Sequence, residues 1–213
     1  MNIATTRVPS KTSMSLPNIL TYARIAAIPV VVGCIYAQSV WQYPLWLRWV
    51  AVAVFIAAGI TDYLDGHFAR IWNQQSAFGR MLDPIADKLL VASCLLMLAA
   101  DSTIQNWSLW AAIVILCREI LVSGLREYLA ALRVSVPVTK VAKWKTTMQL
   151  VAIGFLLAGE AGDTAVAQFF PTLGPIVSGI GIWLLGLSAV FTIYTGYDYF
   201  RSGIHHLIEE DSR

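Results

Sequence analysis

Four aspartates, Asp62, Asp65, Asp83 and Asp87, crowd into one stretch of a chain that has only 13 acidic residues in 213. Their spacing is helical. Asp62 and Asp65 are i, i+3 and share a face, and Gly66, Ala69 and Arg70 continue that face. Gly79, Asp83 and Asp87 repeat at i, i+4, i+8 on the next segment. Converging carboxylates repel one another unless a cation lies among them. Hard divalent cations prefer oxygen ligands, and Mg²⁺ in particular leaves positions open for phosphate oxygens. Small residues beside the acids would let a bulky ligand approach the backbone, and Arg70 adds a charge suited to phosphate. The chemistry expected is metal-assisted handling of a phosphate or diphosphate. The plainer account is that Asp and Gly mark an inter-helix loop. That accounts for one Asp-Gly pair but not for two carboxylate pairs with glycines in step.

The elements that must position these residues are apolar. Hydrophobic residues make up 57% of the chain and charged residues 13%, with a mean hydropathy of +0.64. Soluble domains carry about 25% charged residues, so too little polar surface exists here to cover a water-facing body. A net charge of +2 gives no reason to expect nucleic acid as a partner. Six apolar stretches stand out, at 19–36, 45–61, 84–100, 107–132, 146–157 and 176–197, the fifth lengthened if 165–170 is added. Apolar runs without strand-like alternation mean helices, because backbone groups in lipid must pair internally. The expectation is an all-α, polytopic membrane protein with six transmembrane helices. Residues 1–13 form a polar tail, 14–204 the transmembrane domain and 205–213 a C-terminal tail.

Basic residues set the orientation. With the N-terminus inside, the inner segments hold Arg7, Lys11, Arg70, Arg80, Arg133, Lys140, Lys143, Lys145, Arg201 and Arg213, while the outer ones hold only Arg48. Outer loops carry Asp101, Glu160 and Asp163, and Trp41, Tyr43, Trp46 and Trp107 sit at outer interfacial positions. Both termini are expected in the cytoplasm, with the protein in the plasma (inner) membrane. The second stretch runs inward from about residue 45, so Asp62 lies about 25 Å along it, and the third begins near Pro84 at the same cytoplasmic edge. Residues 31–34 loosely resemble a lipoprotein cleavage site, but Arg24 and Pro29 interrupt the run and five further spans follow. Cys34, Cys94 and Cys117 are odd in number, lie in apolar stretches and show no metal spacing, so burial is expected. His205 and His206 read as solvated residues rather than ligands.

The stretch from Asp62 to Asp87 fills every position of D-x-x-D-G-x-x-A-R-x8-G-x-x-x-D-x-x-x-D and so resembles the CDP-alcohol phosphatidyltransferase family. That family's six-helix layout also agrees with the spans. The resemblance implies transfer of a phosphatidyl group from CDP-diacylglycerol to an alcohol, with release of CMP. It implies two Mg²⁺ or Mn²⁺ ions on Asp62, Asp65, Asp83 and Asp87, with Asp87 also the general base. Asp62, Gly66, Ala69, Arg70 and Gly79 would bind CDP-diacylglycerol. Relatives tend to be homodimers. His67 departs from the residue most often found after the Asp-Gly pair, but points away from the carboxylate face.

The acceptor is expected on another part of the chain. Arg118-Glu119 and Arg126-Glu127 lie on the fourth segment, and Lys140, Lys143 and Lys145 follow in the next loop. A charge as deep as Arg118 is costly, and it either pairs with Glu119 or Glu127 or serves a ligand. Five basic residues suit a phosphorylated acceptor. These stretches, with Leu16-Pro17-Asn18 through Thr21 and Arg24, look like the branch whose acceptor is sn-glycerol 3-phosphate. Asn18 and Arg24 would help hold the pocket, although snorkelling toward the inner leaflet accounts for Arg24 equally well. The rivals are inositol phosphate, serine or phosphatidylglycerol as acceptor, an intramembrane prenyltransferase, or a cation transporter. A prenyltransferase would be longer and lack the Gly-Ala-Arg frame. A transporter would favour mid-membrane acids and an internal repeat.

Overall fold

A computed structural model describes residues 16–72, 77–131 and 140–211, with side chains described at 19–62, 81–82, 84–130 and 144–201. Every element among them is a helix: α1 (Leu16–Val40), α2 (Trp46–Trp72), α3 (Ala77–Ala100), α4 (Asn106–Ala131), α5 (Lys140–Phe169) and α6 (Ile176–Asp211). Within the described residues, four stretches are long and apolar enough to cross a membrane: Ile19–Val40, Asn106–Ala130, Trp144–Phe169 and Ile176–Arg201.

The outward faces carry Ile56, Leu96, Trp110, Ile120, Trp183 and Val190, all well exposed. A continuous apolar exterior of that kind is unfavourable in water and natural in lipid. The interior uses small residues, with Ala51, Ala58, Ala111, Ala112, Ala152 and Ala189 among Ile35, Leu95, Ile115, Ile153 and Leu185. Lipid supplies no hydrophobic drive between helices, so close backbone approach must hold them. The helix α1 packs on α2 and α3, α6 packs on α4 and α5, and α2 joins the two groups by touching α5.

Several boundaries differ from the sequence reading, and α2 runs on to Trp72 rather than ending near residue 61. The helix α3 starts at Ala77, with Pro84 inside it rather than at its head. The fifth stretch is one element, α5, interrupted at Gly159, whose φ of 40° and ψ of −122° only glycine adopts readily. Glu160 and Asp163 therefore lie on α5 and not in an outer loop. The helix α6 continues past residue 197 through Asp211.

The end opposite the aspartates is tied by polar contacts. Arg48, at the start of α2, is buried and ion-paired with Asp101 while its Nε donates to Gln38 Oε1 at 2.8 Å. Thr103 donates to the same Asp101 oxygen that receives Arg48, at 2.7 Å. A β-carbon on Gly159 would lie 2.8 Å from Arg48 Nη1, so the guanidinium needs the glycine as well as the glycine's backbone angles. Asp163 accepts the Val177 and Ser178 backbone N–H groups at 2.7 and 3.2 Å. It thereby caps α6 from a neighbouring helix.

Candidate active site

Asp62 and Asp65 sit on α2 well before its end, which is Trp72, and Gly66, Ala69 and Arg70 occupy the following two turns. The alternative of an Asp-Gly loop is excluded by this placement, because the helix runs on about 15 Å past Asp62. Gly79, Asp83 and Asp87 all lie within α3. The side chains of Asp65, Ala69, Arg70 and Asp83 lie outside the described residues.

Asp62 and Asp87 are brought together by Arg24. Its Nη2 is 3.0 Å from Asp62 Oδ1 and its Nη1 is 3.1 Å from Asp87 Oδ1. The Arg24 side chain is 1% exposed, whereas those of Asp62 and Asp87 are 42% and 47% exposed. One planar guanidinium from α1 thus clasps α2 and α3 from the dry side while both carboxylates keep a face open. Snorkelling does not describe Arg24, since a snorkelling head stays in water.

The donor set fits a hard divalent cation. Carboxylate oxygens are its preferred ligands. Asp65 is one turn from Asp62, and Asp83 is one turn from Asp87, on the same two helices. Among the described residues no group of three or more His, Cys, Asp or Glu gathers, so the described part of the site is the Asp62–Asp87 pair.

A second polar cluster lies between α4, α5 and α6. Lys145, buried within the first turns of α5, ion-pairs with Glu119 of α4. Arg118 reaches the same Glu119 oxygen at 3.4 Å and donates from Nη2 to Thr195 Oγ1 of α6 at 3.2 Å. Its stem lies against Gly196, where an added β-carbon would sit 3.0 Å from Arg118 Cγ. Two cations share one carboxylate, which leaves an excess of positive charge in a partly buried place. Arg126, further along α4, stacks its guanidinium over Tyr199 with 5.7 Å to the ring centroid. Lys140 and Lys143 also belong to α5, not to a loop, and their side chains lie outside the described residues.

An apolar cavity of about 740 Å³ opens between α2 and α5, lined by Val52, Phe55, Ile56, Gly59, Leu150 and Gly154 among others. Gly59, which lines the cavity, is one turn before Asp62 on α2, and neither Asp62 nor Asp87 lines it. Cys94 is buried but Cys117 faces outward, and Cys34, Cys94 and Cys117 are all free thiols.

The family model for CDP-alcohol phosphatidyltransferases matches residues 14–194. The chain belongs to the CDP-alcohol phosphatidyltransferase family. A protein of Rickettsia bellii (strain RML369-C) named CDP-diacylglycerol–glycerol-3-phosphate 3-phosphatidyltransferase is 43% identical over 192 residues, covering 90% of this chain and 97% of the relative. A protein of the same name from Cereibacter sphaeroides is 37% identical over 221 residues, covering 92% and 98%. An Arabidopsis thaliana protein, numbered 2 under that name, is 37% identical over 210 residues, covering 91% and 84%. The apolar helices and the membership of this CDP-alcohol phosphatidyltransferase together make it a multi-pass membrane protein.

Two contacts of this CDP-alcohol phosphatidyltransferase were not legible in its sequence. For Arg24 the sequence supports pocket and snorkelling roles equally, and nothing in the spacing reveals which helices it faces. Lys145 as the partner of Glu119 joins residues 26 apart in sequence, which no helical periodicity links.

Proposed function

We infer that this chain transfers the phosphatidyl group of CDP-diacylglycerol to sn-glycerol 3-phosphate, giving phosphatidylglycerophosphate and CMP. The observation that carries the reading is the Asp62–Arg24–Asp87 contact, which joins the two halves of the family's signature at one place. In this reaction the acceptor hydroxyl oxygen attacks the phosphorus that bears the diacylglycerol. The bond from that phosphorus to the bridging oxygen of CMP breaks, and CMP leaves with the bond's electrons. Asp87, half exposed beside Asp62, takes the hydroxyl proton. Mg²⁺ or Mn²⁺, as two ions held by Asp62, Asp65, Asp83 and Asp87, would neutralise the diphosphate and stabilise the departing CMP. Asp62, Gly66, Ala69, Arg70 and Gly79 hold the nucleotide diphosphate, and the donor's acyl chains occupy the apolar cavity that begins at Gly59.

The acceptor phosphate is held by Arg118 and Arg126 with Lys140, Lys143 and Lys145. The support for a phosphorylated acceptor is the pair of cations around a single carboxylate, since a neutral alcohol calls for no such excess. All six helices cross the bilayer of the plasma membrane, with both termini and the active site on the cytoplasmic face, and the enzyme works as a homodimer. The test is purified protein in detergent with labelled CDP-diacylglycerol and each acceptor in turn. CMP release and a labelled lipid product are expected with sn-glycerol 3-phosphate in the presence of Mg²⁺ or Mn²⁺. Turnover with inositol phosphate, serine or phosphatidylglycerol, and none with glycerol 3-phosphate, would overturn the acceptor assignment.

A further inference from the structure

Arg24 is the ninth residue of α1 and, at 1% exposure, the most deeply dried of the large charged side chains described. Burying a guanidinium is costly, and an ion pair in the interior is seldom more stabilising than apolar residues of the same volume. Helix packing alone therefore gives a poor reason for its presence. Its geometry is specific. The two Nη atoms of one rigid fork each take a different aspartate, on α2 and on α3. The guanidinium is bonded to the chain and stays in place, whereas a divalent cation exchanges. The asymmetry of burial matters too. The cation is dry and sits behind, while the carboxylates are half wet and open in front, so the clasp leaves them accessible to a ligand.

We propose that Arg24 is a positioning residue for the carboxylate site. It acts as a fixed counter-ion that holds Asp62 and Asp87 in register across α2 and α3, and it orients their carboxylates toward a divalent cation and the diphosphate. This rests on the reading of the aspartates as the cation site. Partners of this kind, which bond to a ligand rather than to the metal, typically change metal affinity or activity by about 10- to 100-fold when removed. Lysine at this position would keep the charge but lose the fork, and a single ammonium cannot match two carboxylates on separate helices as a planar guanidinium does.

The full chain in detergent, as wild type, Arg24→Gln and Arg24→Lys, should be followed by thermal unfolding in EDTA and in Mg²⁺, and by turnover across a Mg²⁺ titration. Arg24→Gln is expected to lower Tm in EDTA by about 5–15 °C, because the acids lose their counter-ion. Saturating Mg²⁺ should restore most of that loss. At saturating Mg²⁺, kcat should fall by about 10- to 100-fold while the KM for glycerol 3-phosphate stays within about twofold, since the cationic cluster lies on α4, α5 and α6. Arg24→Lys should recover most of the stability in EDTA but little of kcat. An equal loss of Tm with and without Mg²⁺ would make Arg24 a packing residue and overturn the proposal. So would a wild-type kcat in folded Arg24→Gln. If Arg24→Gln does not fold, Arg24→Lys decides through the same kcat and KM comparison, a wild-type kcat overturning the proposal. A wild-type protein whose Tm and turnover ignore divalent cations would instead refute the cation-site reading on which the proposal stands.

Discussion

Replacing Arg118 by methionine separates recognition of the acceptor from plain charge neutralisation. Methionine keeps an unbranched stem against Gly196, where the Arg118 Cγ packs closely, and removes the guanidinium. The stability cost should be small for a reason visible in the structure. Glu119 has its nearer partner in Lys145, while its distance to Arg118 is 3.4 Å, long for a hydrogen bond. Losing Arg118 therefore leaves Glu119 paired, and only the bond to Thr195 goes with it. About 1 kcal/mol of stability is at stake. A hydrogen bond from the guanidinium to a phosphate is worth about 1.5–3 kcal/mol, so kcat/KM for glycerol 3-phosphate should fall roughly 10- to 150-fold. Steady-state assays varying each substrate, with Tm measured alongside, separate the two effects, and the KM for CDP-diacylglycerol should hold. The double variant Arg118→Met with Glu119→Gln is the control. If it regains both stability and acceptor kinetics, Arg118 was only balancing Glu119, and the acceptor reading fails.

Asp62→Asn and Asp87→Asn should each abolish turnover and weaken divalent-cation binding while the protein still folds, because both side chains are half exposed; near-normal activity at limiting Mg²⁺ in either would count against a shared site. Gly59→Leu has open space for its side chain and should fill the apolar cavity without strain, raising the KM for CDP-diacylglycerol and sparing that for glycerol 3-phosphate. An unchanged donor KM would place the acyl chains elsewhere. Gly159→Ala forces an L-residue to positive φ and drives a β-carbon to 2.8 Å from Arg48 Nη1, so a loss of about 1–3 kcal/mol is expected in thermal unfolding, with kcat little changed in the folded fraction.

The number of helices was legible because apolar runs long enough to be membrane helices have few other readings. Boundaries were less so. Pro84 looked like the head of α3, yet it is the eighth residue of the helix, which continues back to Ala77 and forgoes one backbone hydrogen bond at the proline. The fifth stretch looked broken because Glu160 and Asp163 interrupt its hydropathy. In the structure Asp163 is used as a cap for α6, which no local pattern announces.

The sequence by itself determined that the four aspartates fall on helical faces. Two acid pairs at helical spacing, with Gly66, Ala69, Arg70 and Gly79 in step, specify a face, and a face is a local property of a helix. It also marked the chain as a multi-pass membrane protein, since so few charged residues leave too little polar surface for a water-facing body. Only the tertiary structure decided which charges meet. Arg24 could have turned to the membrane surface or inward; its pairing with Asp62 and Asp87 exists because α1 packs against α2 and α3 together. Lys145 could have been a loose loop charge and Arg118 could have paired with Glu127 instead, and they share Glu119 because α4 and α5 both pack around α6. Charge pairing over such separations is a matter of distance in space, which helical periodicity does not encode.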